Sequence, residues 1–377
     1  MRKKLYFNLA VLAIAIAALI NIFIQAVAIP ELGDGKLIAL ILSNRELFPA
    51  AKYLAGIETL RVGYAAIWQF PPIARILPGS IANHAGFIRI AGISVMACTS
   101  IYLLTRYPSK YRVLLAATTP IWILFSFGYL EYYPFIAGGY LALLCWLFNG
   151  NFEEKSEIQI GVVTGVLPLI YLGFAPLSFI ILFTYLWRAR IEIVMRTLGA
   201  LLLAFFIGLR LFWPKSLSDY FTTLYQELNF GDTNTIYEGY RGLAASETSI
   251  FFNTDYVFSL KHFKELFHML GLGLGLTPIV ILFVALALSR KNTWCLSRKN
   301  VLAILITGWS LLYFAYTIPK LGPILDVDMF FMTYITIAFF SGATLDINPK
   351  LKSNFIIPLH LLSTAFSCVW LMQTATK

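Results

Sequence analysis

Charge is what this chain has least of. Asp, Glu, Lys and Arg make up 13% of its 377 residues, about half the share of an ordinary soluble domain. So few polar side chains cannot coat a globule of this length, which excludes a soluble protein and makes lipid the solvent. Cysteine is scarce too, with four in the whole chain and no metal-ligand spacing among them. That excludes a disulfide framework and a zinc site. No Gly-x-x-x-x-Gly-Lys-Ser/Thr, His-Glu-x-x-His or Gly-x-Ser-x-Gly sequence occurs, so the common phosphate-cradling, zinc-protease and hydrolase motifs are missing. Internal repeats and low-complexity tracts are missing as well.

What is abundant is apolar. Hydrophobic residues reach 59% and aromatic residues 16%, and the mean hydropathy is +0.76. Runs of about 20 apolar residues suit membrane-spanning helices. Eleven are read, at about 5–29, 85–105, 112–129, 133–149, 158–172, 174–187, 194–212, 265–288, 300–318, 329–345 and 354–373. The expected fold is an all-α polytopic membrane protein, with residues 1–377 forming a single transmembrane domain. The first run is too long for a signal-peptide core. The stretch 158–187, with Pro168, Gly173 and Pro176, admits one kinked helix or two short ones.

Charge favours two. The inner segments then hold Arg2, Lys3, Lys4, Arg106, Lys110, Arg112, Lys155, Arg188, Arg190, Arg196, Arg290, Lys291, Arg298, Lys299, Lys350 and Lys352. Their acids are only Glu153, Glu154, Glu157, Glu192 and Asp346. That is the positive-inside pattern, with the N-terminus cytoplasmic. It accounts for the net charge of +10 without nucleic acid. Asp346 reads as a surface neighbour of Lys350 and Lys352.

Two long segments fall outside. Residues 30–84 form a first outer loop whose amphipathic stretches, Lys36–Phe48 and Thr59–Leu77, suit interfacial helices. Residues 213–264 form a large polar outer loop. Most of the acids lie on this outer side. Asp34, Glu131, Asp326 and Asp328 stand at the ends of apolar runs, where a charge is costly unless it is paired or working. Asp34 also suits a helix N-cap, and Asp326 or Asp328 suits the start of the next span. Glu131, among Tyr129, Tyr132 and Tyr133, is harder to explain as a cap. Headgroup anchoring accounts for most outer cations. Arg241, Lys320 and His262 are candidates to hold a lipid phosphate, and His84 is similarly placed. The run Gly271-Leu-Gly273-Leu-Gly275 reads as close helix packing.

In order, the first span, the 30–84 loop with Asp34, the short outer hairpins and the 213–264 loop resemble integral-membrane glycosyltransferases of the GT-C superfamily. The hairpin Gly128-Tyr-Leu-Glu131-Tyr-Tyr133-Pro134 is similar to a Gly-Tyr-x-Glu-x-Tyr-Pro signature of bacterial members. Ser259-Leu-Lys-His262 looks like their Ser-x-x-His before a span. Gly322 to Phe330 looks like the end of their Gly…Arg-Asp-Trp-Asp-Leu-Phe segment, with Leu325 and Val327 replacing the arginine and tryptophan.

The resemblance implies inverting transfer of a hexosyl or pentosyl group from a polyprenyl-phosphate sugar to a glycan, lipid or protein acceptor. The site is expected on the outer face of a prokaryotic inner membrane. Asp34 is implied as general base, with Glu131 beside it. Asp326, Asp328 and Tyr133 are implied in substrate binding, and His262, Arg241 and Lys320 on the leaving phosphate. No cofactor is required; a metal at Asp326 and Asp328 would be Mg²⁺ or Mn²⁺. The rivals are a polysaccharide polymerase or ligase, a non-catalytic membrane assembly protein and a secondary transporter. The last calls for ionisable residues at the bilayer midplane on broken helices.

Overall fold

A computed structural model describes residues 81–107, 110–126, 133–150, 152–212, 257–288, 297–317, 330–347 and 356–375. Within them the chain is all-helical. The first span, the first outer loop up to residue 80 and the 213–256 part of the large loop lie outside the described residues. So do Asp34, Glu131, Arg241, Lys320, Asp326 and Asp328.

Helix α1 (Ile81–Arg106) begins four residues ahead of the expected second span. The expected span 112–129 is divided into α2 (Lys110–Ala116) and α3 (Pro120–Ser126). Pro120 is the cause: it has no N–H to give the Ala116 carbonyl, and its ring crowds that turn. Side chains take over the freed carbonyls, as a break in an apolar bundle requires. The Thr119 hydroxyl donates to the Ala116 carbonyl at 3.0 Å, and the Thr364 hydroxyl donates to the Thr118 carbonyl at 2.7 Å.

Helix α4 (Tyr133–Phe148) matches its expected span. The stretch 158–187 is two helices, α5 (Glu157–Ile170) and α6 (Ala175–Leu186), joined by a 3-10 turn at Leu172–Phe174. The Ser178 hydroxyl donates to the Thr164 carbonyl, so α6 doubles back along α5. Helix α7 (Ile191–Phe212) then runs beside α5.

The expected continuous span 265–288 is instead α8 (Leu260–Gly273) and α9 (Leu276–Leu288), with a bend of 102° between them. Gly275 makes the bend at φ +77°, a left-handed backbone that glycine adopts without a Cβ penalty. Leu276 N–H, freed by the bend, donates to the Ser363 hydroxyl at 3.2 Å. The glycine run does serve packing. At Gly273 a Cβ would collide with the Tyr334 ring. The chain ends with α10 (Arg298–Tyr316), α11 (Phe331–Ile347) and α12 (Ile356–Ala375).

Helix α11 is the central post. Every residue from Phe331 to Phe339 is buried, the signature of a helix that is apolar all round. Helix α7 is the opposite case. It pairs tightly with α5, while Met195, Leu202, Leu203, Phe206 and Ile207 on its other side are exposed. An exposed apolar face of this size suits lipid. By length and composition, α7 and α10 can each cross a membrane, and the bent pair α8–α9 can count as a third crossing. The apolar helices α4, α5 and α6 and the Ile356–Leu371 part of α12 are shorter. The 14 residues of α5 rise about 21 Å, against a hydrocarbon core of about 30 Å.

Helix ends meet in two separate groups. In one, Lys299 donates to the Gly150 carbonyl at 3.0 Å and Arg298 to the Trp187 carbonyl at 2.6 Å. The Tyr185 hydroxyl donates to the Lys155 carbonyl at 2.7 Å. Arg112 Nε lies 3.4 Å from Asp346 Oδ2, each side chain 17% exposed. Asp346, expected at the surface, is therefore mostly covered, while Lys350 and Lys352 lie outside the described residues. Asp346 sits in the last turn of α11, mostly buried against Arg112.

Candidate functional site

The other group of ends is aromatic. Tyr133 opens α4 and packs against Phe125, Tyr171 and Phe331, with ring centroids 6.2, 6.4 and 5.7 Å away. Phe174, in the turn between α5 and α6, faces Tyr140 at 5.4 Å and Tyr171 at 5.3 Å. Hydroxyls and an indole tie the rings across helices. Tyr171 and Tyr313 share a hydrogen bond at 3.0 Å, Tyr140 and Thr336 one at 2.7 Å. Trp309 Nε1–H donates to the Gly173 carbonyl at 3.3 Å. These edge and offset contacts are the favoured ring geometries. The tyrosine and phenylalanine rings are buried and Trp309 is half-buried, and together they form a packed floor.

His262 joins this floor from α8. The Ser259 hydroxyl accepts from the His262 backbone N–H at 3.1 Å, which gives the Ser-x-x-His spacing a local meaning as an N-cap and its third helical residue. The His262 ring is fully buried, with Nε2 at 2.8 Å from the Ala315 carbonyl. A carbonyl only accepts, so Nε2 carries the proton there. That bond fastens the start of α8 to the end of α10. On either side of His262, Lys261 and Lys264 are exposed.

Of the sequence candidates, Tyr133 and His262 are described, and both belong to this one end of the bundle. Asp34, Glu131, Arg241, Lys320, Asp326 and Asp328 lie outside the described residues. Their neighbours in the chain are informative for two segments. Segment 127–132, with Glu131, runs between Ser126 and Tyr133. Segment 318–329, with Lys320, Asp326 and Asp328, runs between Thr317 and Phe330. The anchors of both are in contact: Phe125 with Tyr133, Phe314 with Phe330 at 5.1 Å, and Tyr133 with Phe331. The described residues near the ends of both segments thus belong to one aromatic floor.

Sequence reasoning missed Tyr171, Phe174 and Tyr313 in that floor. The Tyr171–Tyr313 bond joins positions 142 residues apart, and no local spacing signals it. Among the described residues, no three His, Cys, Asp or Glu side chains gather as metal ligands. No protein-family model, curated protein or solved structure matches this chain.

Proposed function

We propose that the protein is a membrane glycosyltransferase of GT-C type that moves a sugar from a polyprenyl-phosphate donor to an acceptor at its aromatic end. One observation supports this reading above others. The described residues near the ends of the segments with Glu131 and Asp326/Asp328 pack together, and His262 is fastened to the end of α10. On this reading the chain crosses the membrane eleven times with its N-terminus cytoplasmic, in what we take to be a prokaryotic inner membrane. The aromatic end faces outward.

Asp34 takes the proton from an acceptor hydroxyl. The resulting oxygen attacks the anomeric carbon from the face opposite the phosphate. The carbon–oxygen bond to the phosphate breaks, and polyprenyl phosphate departs with both electrons. Arg241 and Lys320, and His262 if its ring is released to the substrate, stabilise that leaving group. Glu131, Asp326, Asp328 and Tyr133 hold the sugar or orient the base, and Mg²⁺ or Mn²⁺ is the metal that two carboxylates would favour.

The test is transfer of labelled sugar from a polyprenyl-phosphate donor in membranes. Asp34→Asn keeps a helix cap but removes the base, so the rate should fall by about 10²–10⁴-fold with normal expression. Activity within about threefold of the parent would remove Asp34 from the mechanism. Asp326→Ala and Asp328→Ala should each impair transfer more than Glu192→Gln, an exposed residue of the first turn of α7. If EDTA leaves the parent active while the alanine variants fail, the pair binds sugar and not a metal.

A second reading, a secondary transporter, draws on the adjoining breaks at Pro120 and Gly275, both packed on α12. Broken helices meeting inside a bundle are a transporter device. The side chains bonded to these breaks are Thr119, Thr364, Ser363 and Cys368, none of them charged; the one further ionisable side chain the described part of α12 adds nearby is the buried His360. A transporter would carry the label unchanged into sealed vesicles, whereas a transferase leaves it on the acceptor.

A further inference from the structure

A groove of about 630 Å³ runs between α4 and α5, walled by Ala142, Leu143 and Trp146 on one side and by Ile158, Val162 and Val166 on the other. Its lining is almost wholly apolar; Gln159 is the polar exception. From Ile158 to Ile170 it follows α5 for about 18 Å, slightly more than one leaflet's half of a hydrocarbon core of about 30 Å. Ile158 and Val162 are 62% and 43% exposed, so the groove opens sideways, toward lipid.

One end of the groove is basic. Lys155 Nζ lies 4.5 Å over the Trp146 ring, so the residue that closes the groove also carries a cation. Lys299 arrives from α10 and spends one of its three protons on the Gly150 carbonyl. The Lys155 ammonium is held below the usual lysine range by burial and then by the charge of Lys299. Arg112 already has Asp346. Among the described residues, no carboxylate lies within ion-pair distance of Lys155 or Lys299. In the sequence, Lys155 itself stands among Glu153, Glu154 and Glu157. Two crowded, half-buried cations with no carboxylate in ion-pair distance among the described residues, at the mouth of an apolar groove, suit an anion that carries a hydrocarbon chain.

We propose that this groove binds an anionic phospholipid, with one acyl chain along α4 and α5 and the headgroup phosphate between Lys155 and Lys299. The phosphate supplies the missing negative charge and accepts the protons that neither ammonium now gives to protein. The site lies at the end of α5 opposite Tyr171 and the aromatic floor. It rests on the chain lying in a bilayer and is independent of whether the protein transfers sugar.

The full-length protein, reconstituted in phosphatidylcholine vesicles, provides the test. Small fractions of dibrominated phosphatidylglycerol or dibrominated phosphatidylcholine are added, and bromine quenching of Trp146 is taken as the difference between the parent and Trp146→Phe. Phosphatidylglycerol should quench at about a tenfold lower mole fraction than phosphatidylcholine. Replacing both lysines, Lys155→Gln with Lys299→Gln, should erase that preference. Gly139→Phe should abolish quenching by either lipid. Gly139 lines the groove, and a Cβ there meets nothing within 4 Å, so the fold tolerates it; an unchanged melting temperature checks this. Equal quenching by the two lipids in the parent, a preference that survives loss of both lysines, or no quenching by either lipid would overturn the proposal. Sugar transfer by the same variants is read separately, so failure of one reading leaves the other standing.

Discussion

Arg112 and Asp346 face each other across α2 and α11 with both side chains mostly covered. The guanidinium also lies 5.7 Å from the centre of the Phe339 ring. Removing one member of a covered pair costs more than removing both, because the survivor stays buried without its counter-charge. Asp346→Ala should therefore lower stability by about 2–3 kcal/mol, a fully buried pair's value reduced for partial exposure. Arg112→Gln combined with Asp346→Asn should lose less than Asp346→Ala alone. Thermal unfolding of the purified protein in detergent measures both. If Asp346→Ala melts with Glu192→Gln, the pair contributes nothing.

Between elements, the tightest crossing is that of α5 and α7. It depends on two glycines one turn apart. A Cβ at Gly161 would strike the Thr197 carbonyl and come within 2.7 Å of the Ala200 Cβ. One at Gly165 would come within 2.5 Å of the Leu201 carbonyl. Backbone cannot yield as a side chain can, so this is the small-residue contact that holds helices together in lipid. Gly161→Leu should separate the pair or cost about 1–3 kcal/mol as overpacking. Gly199→Ala, on α7 with nothing near its Cβ, should leave the melting temperature unchanged or slightly raised. Equal melting of Gly161→Leu and the parent would show that α7 does not seat on α5 in the folded protein.

At the scale of the whole molecule, the helix ends form one basic group and one aromatic group. The Lys- and Arg-rich ends should be cytoplasmic. In a background without Cys98, Cys145 and Cys368, the remaining Cys295 should react with an impermeant maleimide only after the membrane is permeabilised. A Ser246→Cys variant in the large loop should react in intact cells. The reverse pattern would place both the basic ends and the proposed transfer site on the wrong sides.

Composition alone pointed to apolar helices, a few of which could span a membrane, and the described cations Arg112, Lys155, Arg298 and Lys299 do stand at helix ends that lie together. Pro168, Gly173 and Pro176 left 158–187 as one kinked helix or two, and the placement of Arg188–Arg196 chose the two that the structure has. These signals are legible because hydropathy, charge and proline geometry act locally. The aromatic floor was legible only at Tyr133 and His262, through short motifs. The rest came from tertiary structure. Hydropathy cannot tell an apolar face that meets lipid from one that meets protein, so the burial of α11 and the exposure of α7 look alike in sequence. The break at Pro120 is tolerated because Thr364, 246 residues away from Thr118, answers the open carbonyl. The bend at Gly275 needs Ser363 in the same way. The groove between α4 and α5 exists because neither helix packs closely on the other there, and its lysines meet only when α10 brings Lys299 to the turn that carries Lys155. Such arrangements depend on residues distant in the chain, and no window of sequence contains both partners.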